Sequence, residues 1–172
     1  MDPNARRCQP REHHFLFLTQ ESEGHAWNTS PMKREHKFET IEHTADVGVV
    51  GRGSTMAEAF ENVAYGMFSI MAEVDRYKPS VNKKVVALGE DDVVLLERFL
   101  SSLLVLFDAD GLLPIDVEIT ELSMGRLTCW VSAHRIGDDI EWLGPQVKAV
   151  TYHQMAVESE AGEWMARAIF DV

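Results

Sequence analysis

The sequence predicts an α+β fold, a two-layer sandwich with two helices packed on one face of a mixed or antiparallel sheet. Three observations carry this prediction. Two segments, residues 55–71 and 92–109, place apolar residues at steps of three and four. Short alternating segments flank these helices and then fill the last third of the chain. No regular strand–helix–strand repetition links them, so an all-parallel sheet is disfavoured.

Residues 37–41 and 47–52 form two short strands about a bend at residues 43–46. Thr55 offers a capping hydroxyl to the first helix, and Glu58 reaches back to it. Met56, Phe60, Val63, Ala64, Met67, Phe68 and Met71 share one helical face. A methionine stripe of this kind is more often core than a partner groove. Lys78-Pro79-Ser80 breaks the chain before a strand at 81–88. Asp91 or Glu90 caps the second helix, which turns Val93, Leu96, Phe99, Leu100, Leu103, Leu104 and Phe107 inward and stops at Asp110-Gly111.

Ile115, Val117 and Ile119 then alternate with Asp116, Glu118 and Thr120, and Leu127, Cys129, Val131 and Ala133 alternate with their polar neighbours. Strands at 147–158 and 164–172 join through Ser159-Glu160-Ala161-Gly162, a hairpin signal. A turn centred between Glu160 and Ala161 sets Asp171 opposite Val150. Lys148 then lies within diagonal reach as a counter-charge.

Residues 1–31 mix Pro3, Pro10, Pro31, Gly24 and scattered histidines without a sustained period, and read as a disordered N-terminal extension. Met32 is the expected natural start, and residues 32–172 make one domain. A His-rich metal tail of His13, His14, His25 and His36 is the weaker alternative, because the spacing is irregular and no cysteine joins it. No apolar run approaches the roughly 18–20 residues that cross a bilayer. Two cysteines, Cys8 and Cys129, make no disulfide framework, so a cytoplasmic location is expected. Net charge is −12, of which all but −1 falls on residues 32–172. That argues against affinity-setting contact with nucleic acid, which rests on a basic face meeting phosphates. It suits cation binding or docking on a basic partner.

Asp46 is the carboxylate to explain, since valines and an alanine surround it and burying an unpaired charge is costly. Asp171 and the Val172 carboxylate lie side by side at the other end of the chain. If the two strands are neighbours, Asp46, Asp171 and Val172 make an oxygen-only cluster, which selects Ca²⁺, Mg²⁺ or Mn²⁺. Other candidates have plainer readings. His43 at a strand end and His153 within a strand suit hydrogen bonding and packing. Gly48, Gly51 and Gly53 lack the lysine and spacing of a phosphate loop and read as turn chemistry. Cys129 reads as core, and Asp91, Asp92 and Glu97 as favourable charges near a helix start. Ser54, Ser101 and Ser102 have no nucleophile-elbow context.

Glu42-His43-Thr44-Ala45-Asp46, Glu58-Ala59-Phe60, the block from Val147-Lys148-Ala149-Val150-Thr151-Tyr152-His153 to Gln154-Met155, and the ending Ile169-Phe170-Asp171-Val172 together resemble the archease family. The resemblance spans about residues 36–172, in the family's order. It implies an accessory protein rather than an enzyme, one that acts on an RtcB-type RNA ligase joining 3′-phosphate and 5′-hydroxyl ends in tRNA splicing or RNA repair. Such proteins promote guanylylation of the ligase histidine and allow multiple turnover. The resemblance also implies a divalent-metal site, most often calcium, which maps onto Asp46, Asp171 and Val172. Two alternatives are a stand-alone metal-dependent phosphoesterase and a chaperone or binding module for tRNA-modifying enzymes.

Overall fold

The structure, a computed structural model, describes residues 20–21, 35–42 and 46–172. Its elements are β1 (Gln20–Glu21), β2 (Phe38–Glu42), β3 (Asp46–Gly53), α1 (Met56–Met71), a short 3₁₀ turn (Val74–Arg76), β4 (Val81–Leu88), α2 (Asp92–Asp108), β5 (Leu112–Ser123), β6 (Arg126–Arg135), β7 (Ala149–Glu160) and β8 (Glu163–Asp171). The α+β class and the packing of two helices against antiparallel strands hold. The strands divide between two four-stranded sheets, in the orders β1-β4-β6-β5 and β2-β3-β8-β7. Every pairing in both is antiparallel. Among the described residues no helix is long and apolar enough to cross a membrane.

Helix α1 starts at Thr55, whose side chain accepts from the Glu58 N–H at 3.1 Å. The Glu58 carboxylate reaches past Thr55 to Ser54, accepting from its N–H (2.7 Å) and its hydroxyl (2.6 Å). Asp91, not Glu90, caps α2, taking the Val94 N–H at 2.8 Å. Phe60, Val63, Met67, Phe68 and Met71 of α1 join Leu95, Leu96, Phe99, Leu100 and Leu103 of α2 in one core. The helices meet through the ring pairs Phe60–Phe99 and Phe68–Phe107, at 6.3 and 6.1 Å. Both pairs step eight residues along each helix, so α1 and α2 run in the same sense.

The glycines of β3 explain how α1 lies so close to that strand. A Cβ on Gly51 would stand 2.4 Å from the Ala59 carbonyl oxygen and 2.6 Å from the Val63 nitrogen; one on Gly53 would stand 2.7 Å from the Ala59 nitrogen. Helix backbone therefore rests on strand backbone. These glycines sit inside a strand and serve packing, which replaces the turn reading. At the other sheet, Glu61 of α1 accepts from the Ile119 N–H of edge strand β5 at 2.6 Å.

The β7–β8 turn is centred one residue later than the sequence suggests. Glu160 pairs with Glu163, and Ala161 and Gly162 take φ of 52° and 87°. Positive φ at both central residues is the two-residue turn whose twist matches a hairpin. Further along, the register shifts between Thr151 and Ala156, so Tyr152, His153, Gln154 and Met155 stand against Ala168 alone. The two offsets together place Asp171 opposite Ala149 rather than Val150.

Candidate functional site

Strand β3 pairs with β8 along its whole length, from Gly53 opposite Trp164 to Asp46 opposite Asp171. Val49 and Gly51 face α1, and alternation then turns Asp46, Gly48 and Val50 to the other face of the sheet. The same holds on β8, where Ala166, Ala168 and Phe170 belong to the core and Asp171 does not. Asp46 and Asp171 are thus directly opposed on the face away from the helices, with Cβ atoms about 5 Å apart as in any such pair. Like charges in that position repel unless something cationic lies between or beside them. Asp46 is half-buried and Asp171 exposed.

Lys148 closes the corner from β7. Its main-chain N–H donates to the Asp171 carbonyl at 2.8 Å, and its ammonium donates to the Val172 main-chain oxygen at 3.1 Å. The Val172 side chain packs against the core, so this oxygen is held at both ends. The corner therefore gathers two opposed carboxylates, one main-chain oxygen and one ammonium. All three groups offer hard oxygen donors of the kind that suit Ca²⁺, Mg²⁺ or Mn²⁺. Among the described residues no group of three or more His, Cys, Asp or Glu side chains converges.

The remaining sequence candidates fall elsewhere. His43 lies outside the described residues, as do His13, His14 and His25. His36 stacks on Tyr65, with ring centroids 3.6 Å apart, and bonds Asn62 at 3.0 Å, so it anchors β2 to α1. His153 does not pack; it is exposed within the irregular part of β7. Cys129 is fully buried, and desolvation, followed by the charge of Glu61, pushes its thiol up to about 12. Ser102 bonds the Arg98 carbonyl, one turn back on its own helix, and Ser101 bonds the Glu97 side chain.

Glu97 does more than place a favourable charge near a helix start. Glu97 lies at 13% side-chain exposure and accepts from both Ser101 (2.8 Å) and Tyr152 (2.8 Å). Burial and the bond to Glu97 raise the Tyr152 phenol above its ordinary value. The only signal in the sequence was the run Thr151-Tyr152-His153-Gln154, which breaks aliphatic alternation in the middle of a strand.

Residues 38–172 match the model of the archease protein family. The chain belongs to the archease family. Among curated archeases it is 39% identical over 140 residues to that of Thermococcus kodakarensis, covering 79% of this chain and 99% of that one. It is 35% identical over 145 residues to the archease-like protein of Drosophila melanogaster, covering 80% and 92%. The solution structure of Methanobacterium thermoautotrophicum protein 1598 superposes with a TM-score of 0.67 at 33% identity, covering 78% and 98%. An archease of Thermotoga maritima, described as a possible chaperone, matches at a TM-score of 0.50 and 19% identity, covering 78% and 96%, and shows the shared fold.

Proposed function

We propose that this archease is a non-enzymatic accessory protein, acting in the cytoplasm, that activates an RtcB-type RNA ligase and binds a divalent cation, calcium first, through Asp46, Asp171 and the Val172 oxygen. The observation that carries the metal reading is the direct opposition of Asp46 and Asp171 across β3 and β8. Two like charges in register favour a cation that relieves their repulsion. Family membership supports the ligase reading.

Three oxygen-bearing groups, with at most five oxygens between them, fall short of the six to eight that calcium takes. Water or groups of the partner would complete the shell, so the corner suits a site finished on docking. The Lys148 ammonium holds the Val172 oxygen at 3.1 Å. It would keep that oxygen in place when no metal is bound and yield part of it on binding. A bound cation would supply positive charge beside the triphosphate of the ligase's nucleotide, where phosphoryl transfer needs neutralisation. The chain's own contribution is to hold the two carboxylates opposite each other, at the ends of the two paired inner strands of a sheet. A net charge of −12 favours docking on a basic cleft, faster at low salt, and disfavours strong binding of nucleic acid by the protein alone.

The test is a guanylylation time course with the cognate ligase and GTP. Asp46→Ala should abolish the stimulation that the wild type gives, with an unchanged circular dichroism spectrum. Full stimulation by the variant would exclude the role. The Thermotoga maritima protein is described as a possible chaperone, and a second reading is a chaperone or binding module, with tRNA-modifying enzymes as the clients to test. Affinity purification that retains a methyltransferase and no ligase would favour it.

A further inference from the structure

The irregular stretch of β7 is costly and firmly held. Gln154 takes φ of 54°, the left-handed region that a residue with a Cβ seldom adopts. The Thr151 hydroxyl beside it is buried with no hydrogen-bond partner among the described residues, a second local cost. Three contacts lock the shape. Arg167 Nε donates to the Gln154 carbonyl at 2.7 Å, the Gln154 amide donates to His153 Nε2 at 3.1 Å, and Tyr152 is tied to Glu97. Met155 is buried as an anchor, while Tyr152, His153 and Gln154 are exposed. The bulge begins three residues along β7 from the row that holds Asp171, about 10 Å at strand spacing.

Costly backbone persists where the surroundings enforce it, and bulges commonly re-aim side chains beside functional sites. We infer that Tyr152, His153 and Gln154 form a recognition patch, through which the protein partner whose basic cleft takes the acidic corner also reads this chain. The inference rests on the activator reading above. A protein partner is favoured over nucleic acid because the patch adjoins two carboxylates on a chain of net charge −12, which repels phosphates. The plainer purpose of such a bulge is to spoil an edge strand for unwanted pairing. That purpose needs only the backbone shape, whereas recognition needs the side chains.

The difference is testable with the double variant His153→Ala, Gln154→Gly. Glycine adopts positive φ freely, so the bulge stays and the two side chains go. Binding to immobilised cognate ligase is measured by interferometry, alongside melting temperature. The expected result is a Kd at least tenfold weaker than wild type, as for loss of central contact residues, with a melting temperature equal or higher. An unchanged Kd, with wild type binding and stimulating normally, overturns the patch and leaves the activator reading standing. Weaker binding that tracks a fall in melting temperature also overturns it, by assigning the bulge a structural role. A wild-type homodimer in sedimentation that the double variant splits assigns the patch to self-association and overturns it too. A wild type that neither binds nor stimulates the ligase overturns the activator reading, and the patch with it.

Discussion

Asp46→Asn removes one of two facing charges and keeps the side chain's shape. The opposed Cβ atoms lie about 5 Å apart. Two unit charges at about 5 Å repel by about 0.8 kcal/mol in bulk water and about 3 kcal/mol at an effective dielectric of 20. Asp171 is exposed and Asp46 only half-buried, so a value near the lower figure, about 1 kcal/mol, applies. In a domain of this size that is about 2–4 °C in melting temperature. In EDTA the variant should therefore melt about 2–4 °C above wild type. Calcium should reverse the order, because a ligand at a hundred times its Kd adds about 2.7 kcal/mol to a protein that binds it. Scanning calorimetry in EDTA and then in calcium, magnesium or manganese reads both effects. A wild type that outlasts the variant in EDTA would show that Asp46 already has a favourable fixed partner. Equal calcium shifts in the two proteins would place the metal elsewhere. Either result refutes the reasoning.

Other substitutions report on the scaffold. Gly51→Ala drives a Cβ to 2.4 Å from the Ala59 carbonyl oxygen, so α1 must shift; urea unfolding should show a loss of about 2 kcal/mol or more. Ala161→Asn suits the positive φ of 52° beside Gly162 and should stabilise the hairpin by about 0.5–1 kcal/mol in the same assay. The unfolded Cys129 thiol ionises near 9, while the folded one keeps its proton to about 12. Between those values the native state binds more protons, so stability falls as pH rises. By pH 11 the loss is about 2–3 kcal/mol, and Cys129→Val should remove that part of the slope between pH 8 and 11.

Both helices were legible in the sequence, because periodicity and caps are local. Phe60, Val63 and Met67, or Leu96, Phe99 and Leu103, announce a buried face without knowledge of what covers it. Strand existence was equally local. Strand partners were not: nothing in residues 47–52 or 164–172 says that these two strands pair, and the division into two sheets follows from that pairing. The meeting of Asp46 and Asp171 was therefore a conditional expectation, and the β3–β8 register meets the condition. Register within the last hairpin missed by one residue because Ala161, a residue with a Cβ, takes a positive φ that favours glycine. His153 is exposed where the strand pattern predicts packing, because that pattern cannot show four residues standing against one. The glycines of β3 carried the right spacing for close approach, but only the position of α1 distinguishes that from a turn.

The pairing of β3 with β8 also sets an order of events in synthesis. Most of the domain lies between Gly53 and Trp164, so the strand that carries Asp46 waits for its neighbour until nearly all the other described residues have left the ribosome. Non-local pairing of this kind is slow to form. A nascent or truncated chain has Asp46 without Asp171 opposite it, so the facing pair of carboxylates does not exist before β8 joins β3. Completion of the fold and appearance of the paired carboxylates are the same step.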